Sequence, residues 1–512
     1  MNLAERTARA DAVLLSCQTR MDAFARASLL ASHAIGVPAL DQELAALGKE
    51  LRAARQKELG TPAPTSFPGP DVYLATHLPS PGGHSLLLGD FVAALSETGG
   101  GQTPHVFLTN LNLYPGGAIA EPLVDSLGIP PDRLHVLTET SPGAKLEHLL
   151  DALTEIRPTR LFLFHLPGDP IPVAAAAAGL AGKLYLAHHA DARPCLGLHL
   201  DGMLALELHP FGAASSRVLG IPHEMLPLTA PDPGPRPAGF LRRGTLTTAA
   251  CGRKSKFRLD SQPSYPQAVL TILQSTQGRH AHFGPLLDEV LGEIHRLLRA
   301  HSIPADHFIH VPWVPSLGQA LWDHGCDVYL SSFPVDGARA NAEVAASGTP
   351  FLKRVSPARA GEAPDPFQPA GALYWSTLEE LAARLAECRD MEFLAEKSRV
   401  IRAHYERLHH PRVFRETLQR ILDGGSGIND SQVEKRQVLR MSKMIRSLAE
   451  AEFRRTETEM AREQQWRAEA AKLAERCTKL HLRLKKLEEE RKLLFPKGTG
   501  WRARFRRWLF KA

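Results

Sequence analysis

The chain has 512 residues, 44% of them hydrophobic, with 39 glycines, 39 prolines and a net charge of +6; that length exceeds one core and predicts two or three folded units with extensions, in a globular α/β protein rich in turns. The charge is uneven: residues 430–512 hold 23 Lys and Arg against 12 Asp and Glu, leaving −5 on the first 429, so the basic character belongs to a C-terminal extension. Six cysteines, Cys17, Cys195, Cys251, Cys326, Cys388 and Cys477, form no CxxC pair and no disulfide-like spacing, which argues against a disulfide framework and for a reducing cytoplasm.

The opening Met1-Asn-Leu-Ala-Glu-Arg lacks the layout of a signal peptide. The longest apolar run, Ile171 to Ala187, is broken by Pro172 and Lys183 and is too short to span a bilayer comfortably. A cytoplasmic protein is expected, soluble or peripheral at the inner face of the cell membrane. Residues 1–60 place Val13, Leu14 and Cys17, and later Leu40, Leu44 and Leu47, at spacings of three and four, predicting an N-terminal segment of two helices. The Pro-rich stretch Thr61 to Pro70 cannot continue a helix.

From Asp71 short apolar strands alternate with helices. Val72 to Thr76, His105 to Thr109, Leu134 to Leu137, Leu161 to His165 and Lys183 to Ala187 read as strands, with Ser85 to Leu95 and Lys145 to Ile156 as helices between them. A second Pro-rich break, Pro231 to Pro237, precedes another series: Thr245 to Ala250, His280 to Phe283, Phe308 to Val311, Asp327 to Ser331 and Pro350 to Lys353. Alternation of this kind makes parallel sheets covered on both faces. The fold class expected is therefore α/β, with two doubly wound Rossmann-like domains over 71–235 and 240–425.

After Gly424-Gly-Ser-Gly427 the chain becomes helical and highly charged. Trp466, Leu473, Cys477, Leu480, Leu484, Leu487 and Leu494 follow a seven-residue repeat, interrupted where Arg491 takes an inward position, so residues 430–495 predict a coiled coil and a homo-oligomer. A single long helix packed on the body is the alternative. The tail 496–512 interleaves Trp501, Phe505, Trp508, Leu509 and Phe510 with Arg502, Arg504, Arg506 and Arg507. That mixture suits an anionic membrane surface, at about 1 kcal/mol per cation near it. RNA or an acidic partner competes for the same tail, but no nucleic-acid motif accompanies it and no nucleic acid is expected.

The most informative stretch runs from Cys326 to Pro350 and reads as strand, loop, helix and turn. The helix begins near Gly337 and carries Glu343 in its first turns. A helix N-terminus offers unpaired N–H groups to a diphosphate, and a carboxylate farther in can accept hydrogen bonds from ribose hydroxyls. Asp336, Gly337, Arg339, Asn341 and Glu343 are the donor-binding candidates there. Ala250 to Phe257 follows a strand: Gly252 permits close backbone approach, and Arg253 and Lys256 can neutralise charge growing on a leaving diphosphate, against the alternative of a solvated basic loop. His282, Pro312 and Trp313 end neighbouring strands, where doubly wound sheets bind ligands, although Trp313 also fits a core.

Ser80 to Ser85 joins a strand to a helix and resembles the glycine-rich loop of the acceptor domain in GT-B enzymes, a resemblance that implies a cleft between the two domains with His84 at its mouth. His188, His189 and Asp191 end another strand of the first domain. A neutral imidazole can accept a hydroxyl proton and a carboxylate can orient it, so His84, His189 and Asp191 are the catalytic candidates, with Glu207 and His209 weaker ones. His188, His189 and Asp191 have the composition of a metal site but lack a further ligand cluster. No metal or cofactor is expected.

Glu343-Val-Ala-Ala-Ser-Gly-Thr-Pro350 resembles the Glu-Ala-Met-Ala-x-Gly-x-Pro signature of GT-B glycosyltransferases, the group 1 enzymes among them. Asp336-Gly337 to Pro350 is similar to the donor-binding stretch of bacterial relatives of O-GlcNAc transferase. The resemblance spans residues 71–425 and implies transfer of a sugar from a nucleoside diphosphate, UDP foremost, to a glycan, a lipid-linked glycan or a protein, the nucleotide sugar being a substrate. It also implies a basic clamp at Gly252 to Lys256. Two departures stand out: Val335 occupies the first acid position of the Glu-x7-Glu pattern, and Ala338-Arg-Ala340 replaces a His-Thr-Thr run. A nucleotide-sugar 2-epimerase of the same architecture and a non-catalytic scaffold acting through its coil remain open.

Overall fold

The computed structural model describes residues 1–428 except 28–36, 61, 63, 79–82, 97–101, 112–118, 120–126, 190–194, 238, 335 and 356–369. The heptad segment, the basic tail, Asp191 and Val335 lie outside the described residues. Two helices open the chain, α1 (Leu3–Ala27) and α2 (Pro38–Leu59). Ala10, Val13, Leu14 and Cys17 on α1, and Leu40, Leu44, Leu47 and Leu51 on α2, are buried, as their spacing on one helical face requires.

The chain then builds β1 (Val72–Ala75), α3 (Gly83–Ser96), β2 (His105–Leu108), β3 (Leu134–Val136) and α4 (Pro142–Ile156). It continues through β4 (Arg160–Phe164), α5 (Pro170–Ala177), β5 (Lys183–His188), β6 (Met203–Glu207), α6 (Pro210–Leu219) and β7 (His223–Met225). Among the described residues these strands form one parallel sheet in the order β3-β2-β1-β4-β5-β6-β7. All four residues of β1 are buried, and a strand covered on both faces must be apolar at every position, which explains the unbroken run in the sequence.

The N-terminal helices pack on this sheet's outer layer, α1 against α4 and α2 against α5. Polar anchors fix them. Buried Glu147 of α4 accepts hydrogen bonds from Arg6 Nε at 3.2 Å and Arg55 Nη1 at 2.6 Å. Buried Asp41 of α2 accepts from the backbone amides of Gly197 at 2.7 Å and His199 at 2.9 Å. Burial outweighs those two donors and pushes the Asp41 carboxyl up to about 7.

A second series follows: β8 (Thr247–Cys251), α7 (Tyr265–Thr276), β9 (Arg279–Phe283), α8 (Asp288–Ala300), β10 (Phe308–Val311) and α9 (Leu317–Asp323). Then come β11 (Val328–Leu330), α10 (Arg339–Ala346), β12 (Phe351–Arg354), β13 (Leu373–Trp375), α11 (Leu378–Glu387), α12 (Met391–Leu408) and α13 (Pro411–Leu422). The described strands make a parallel sheet in the order β10-β9-β8-β11-β12-β13.

The last helix among the described residues, α13, returns to the first sheet. Phe414, Thr417, Leu418, Ile421 and Leu422 form the buried stripe of α13, and Phe414, Leu418, Ile421 and Leu422 belong to one core with Phe91, Phe162 and Phe164. The rings of Phe91 and Phe414 lie 5.3 Å apart. The sequence places 411–422 with the second domain; its apolar stripe is instead covered by α3 of the first.

In both sheets the strand order reverses once, between β1 and β4 and between β8 and β11. Such a reversal splays the connections to opposite faces and opens a crevice at the strands' carboxyl ends. Apart from His282, which lies within β9, the described sequence-predicted site residues follow the ends of these strands or lie on the helix after β11. No helix among the described residues is long and apolar enough to cross a membrane.

Candidate functional site

In the second domain the loop after β8 is held by its neighbours. Gly252 N donates to Phe283 O at 3.1 Å. Gly284, at φ +112°, lies so close that a Cβ there would stand 2.4 Å from Gly252 O, so a side chain at 284 would force the two loops apart. The short turn Lys254–Lys256 then follows, anchored by buried Phe257 against the rings of Tyr265 at 4.5 Å and His282 at 4.6 Å. Lys256 Nζ donates to Asp336 O at 2.7 Å, tying the β8 loop to the β11 loop. Burial holds the Lys256 ammonium below its ordinary pKa, although the charge of Asp336 acts the other way.

The β11 loop is braced from within. Asp336 Oδ1 accepts from Gly337 N at 2.8 Å, Asn341 Nδ2 at 3.2 Å and Ser331 Oγ, and its Oδ2 pairs with Lys353. Burial would raise this carboxyl, but Lys353 and the hydroxyl and amide donors hold it below the usual range. Asp336 and Asn341 therefore shape the loop, and the Gly337 amide is engaged by a carboxylate. The helix begins at Arg339, two residues later than the sequence suggests, because Asp336 keeps Gly337 in the loop.

Glu343 lies in the second turn of α10 with 23% of its side chain exposed. Burial raises its pKa; Arg339 and the backbone amide of Leu317 oppose that, while Asp90 adds to it. The Cys251 thiol at the end of β8 is pushed up to about 12, first by burial and then by Glu343, with Lys256 acting against them. Glu343 and Lys256 thus act on the same thiol with opposite sign. Arg339 is directed elsewhere: its fork pairs with Asp90 of α3 in the first domain.

Two further candidates separate. Trp313 is 58% exposed beyond β10, as a stacking surface requires and a core residue does not. His282 is fully buried, with Nδ1 2.7 Å from the hydroxyl of Tyr265, which also lies 2.9 Å from His280 Nε2. His282 supports the loop from beneath and does not line the crevice. Its alternation with His280 along β9 turns both rings to one face of the strand.

In the first domain His84, in the first turn of α3, bonds through Nε2 to His77 O at 2.8 Å. A carbonyl can only accept, so Nε2 carries the proton and Nδ1 the lone pair. Its ring stacks on His189 at 5.5 Å and meets His77 edge-on at 5.8 Å. Burial lowers the His84 pKa below 6.5, and the positive charge of Arg253 lowers it further against the His77 hydrogen bond. Arg253 acts on His77 in the same sense. Two imidazoles of one domain thus sense a cation of the other. His189 is pushed down to about 3, by burial first and then by His84.

His188 and Glu207 face inward. His188 Nδ1 lies 2.8 Å from Glu207 Oε2, both buried, and Ser216 donates to the same carboxylate. A Cβ at Gly212 would stand 2.0 Å from Glu207 Oε2, so glycine there admits the carboxylate. This cluster braces the ends of β5 and β6. Among the described residues no group of three or more His, Cys, Asp or Glu is disposed to hold a metal ion. His77 and Asp90 are the site residues that sequence reasoning missed. His77 follows β1 directly and a strand-end reading reaches it, whereas Asp90 carries no local signal because its partner is 249 residues away.

No protein-family model matches the sequence, and no curated protein matches it either. Among solved structures, HepE of Anabaena in complex with UDP and glucose is 12% identical, with a TM-score of 0.51 over 69% of this chain and 99% of HepE. The same protein in complex with UDP is 13% identical, with a TM-score of 0.51 over 69% of this chain and all of HepE. Two doubly wound parallel sheets, with a helix that returns from the second to the first, and the likeness to that structure give this chain a GT-B-like fold.

Proposed function

We propose that this protein transfers a glycosyl group from a nucleoside diphosphate sugar, with UDP as the nucleotide, to a hydroxyl of a glycan, a lipid-linked glycan or a protein. One observation carries the reading: Lys256 is bonded to the loop that leads into the helix bearing Glu343, and the neighbouring Arg253 exerts its charge on His77 and His84 of the facing domain. HepE binds UDP and UDP-glucose, which supports the choice of nucleotide.

Glu343 accepts hydrogen bonds from the ribose hydroxyls, and Trp313 offers its exposed face to the base. The bond between the anomeric carbon and the diphosphate breaks with its electron pair leaving on the phosphate oxygen, where Arg253 and Lys256 balance the charge. The acceptor oxygen bonds to the anomeric carbon and its proton passes to His84 Nδ1, kept neutral by burial and by Arg253. His189 supports the His84 ring by stacking. The heptad segment 430–495 makes the protein an oligomer, and the tail 496–512 holds it against an anionic membrane.

The test is calorimetric titration of the full chain with UDP, alongside release of UDP from UDP-glucose. Binding in the micromolar range is expected, with slow hydrolysis abolished in Arg253→Gln at unchanged melting temperature. A chain that binds no UDP at millimolar concentration refutes the proposal.

A further inference from the structure

We propose that Asp90 and Arg339 form a clamp between the two domains, and that the clamp also decides whether Glu343 is open to a donor. Arg339 is the first residue of α10 and Asp90 lies within α3 of the opposite domain. Arg339 Nη2 donates to Asp90 Oδ1 at 3.3 Å while Nη1 engages Oδ2. Their side chains are 10% and 17% exposed, so the pair is largely shielded from solvent and its charges are weakly screened. A guanidinium fork occupied by one carboxylate cannot grip a diphosphate through the same nitrogens. Arg339 therefore acts between the domains and not on the donor.

The third nitrogen reveals the second half of the device. Arg339 Nε is buried without a hydrogen-bond partner, and Glu343 Oε1, one turn along the same helix, stands 3.6 Å from it. That is an ion pair just beyond hydrogen-bonding distance. Released from Asp90, Arg339 needs only a small rotation to close on Glu343, which lies four residues on along the same helix face. The guanidinium thus has two stations. Across the domains it leaves Glu343 open; along the helix it covers Glu343.

The masking half rests on the role proposed above for Glu343; the clamp half does not. Closure is read without nucleotide, by energy transfer between dyes at the exposed positions 57 and 299, with labelled chains diluted in unlabelled full-length protein. Asp90→Asn and Arg339→Gln should both lower transfer, and an unchanged signal in either overturns the clamp. Masking is read by UDP affinity. Asp90→Asn leaves Arg339 free to cover Glu343 and should weaken UDP about tenfold if one chain in ten keeps the site open. Arg339→Gln opens the domains but exposes Glu343, so its loss should be smaller, and the double variant should match Arg339→Gln alone. Equal losses in the two single variants overturn the masking, and additive losses in the double variant do so too. If the parent chain binds no UDP, the functional proposal fails while energy transfer still decides the clamp.

Discussion

Replacing Glu343 with glutamine tests the donor site most directly. The carboxylate has one oxygen engaged by the Leu317 amide and a guanidinium 3.6 Å away, leaving an acceptor oxygen for ribose. In the variant the amide oxygen serves Leu317 and an NH2 faces the ribose, so one charge-assisted hydrogen bond is lost, worth about 1.5–3 kcal/mol. Burial already penalises the ionised carboxylate, and a neutral amide escapes that cost. The net effect therefore falls at the low end, a rise in the UDP dissociation constant of about 10- to 30-fold at 1.4 kcal/mol per decade. Fold stability should move by less than about 1 kcal/mol, because Arg339 keeps Asp90 as its partner. Calorimetry with UDP and with its 2′,3′-dideoxy analogue isolates the ribose: the parent should prefer UDP by the same factor and the variant should not. A variant that binds UDP as the parent does, or keeps its preference for the diol, refutes the reasoning.

His84 should impose an acid limb on kcat/KM below pH 6.5, since burial and then Arg253 lower its pKa and only the neutral ring accepts a proton; His84→Asn should abolish that limb and cost about 10²- to 10⁴-fold in rate. A limb centred above 6.5 would contradict this assignment. Asp41 predicts a pH dependence of stability. Its carboxyl titrates near 3.8 when unfolded and about 7 when folded, so between those values the folded state holds a proton that the unfolded state has released. Stability should therefore fall as pH rises through that window, by at most about 1.4 kcal/mol per unit. Urea midpoints at pH 4.5 and 7.5 should converge in Asp41→Asn relative to the parent. Deleting residues 496–512 should abolish flotation with phosphatidylserine vesicles and leave kcat unchanged; continued flotation would remove the membrane role from the tail.

Much of the fold was legible because its central strands are covered on both faces. The apolar runs at 72–75, 161–164 and 328–330 announce themselves for that reason. Strands β6, β7 and β13 went unread. At the candidate site, Arg253 and Lys256 were proposed from their charge and their place after β8, and Glu343 from its place on the helix after β11; the structure puts them on those elements. His282 satisfied the same positional rule and proved to be internal, since nothing local distinguishes a histidine that points into the cleft from one that turns toward Tyr265.

The sequence by itself determined the alternating α/β order, the two series of strands and the acidic and basic groups that could serve a nucleotide sugar, because each depends on residues within a few turns of one another. Only the tertiary structure decided that α13 returns to the first domain, that His188 is spent on Glu207, and that Arg339 reaches across the cleft to Asp90. Those outcomes depend on partners distant in the chain, whose meeting is set by how helices and sheets pack and leaves no periodic trace in the order of residues.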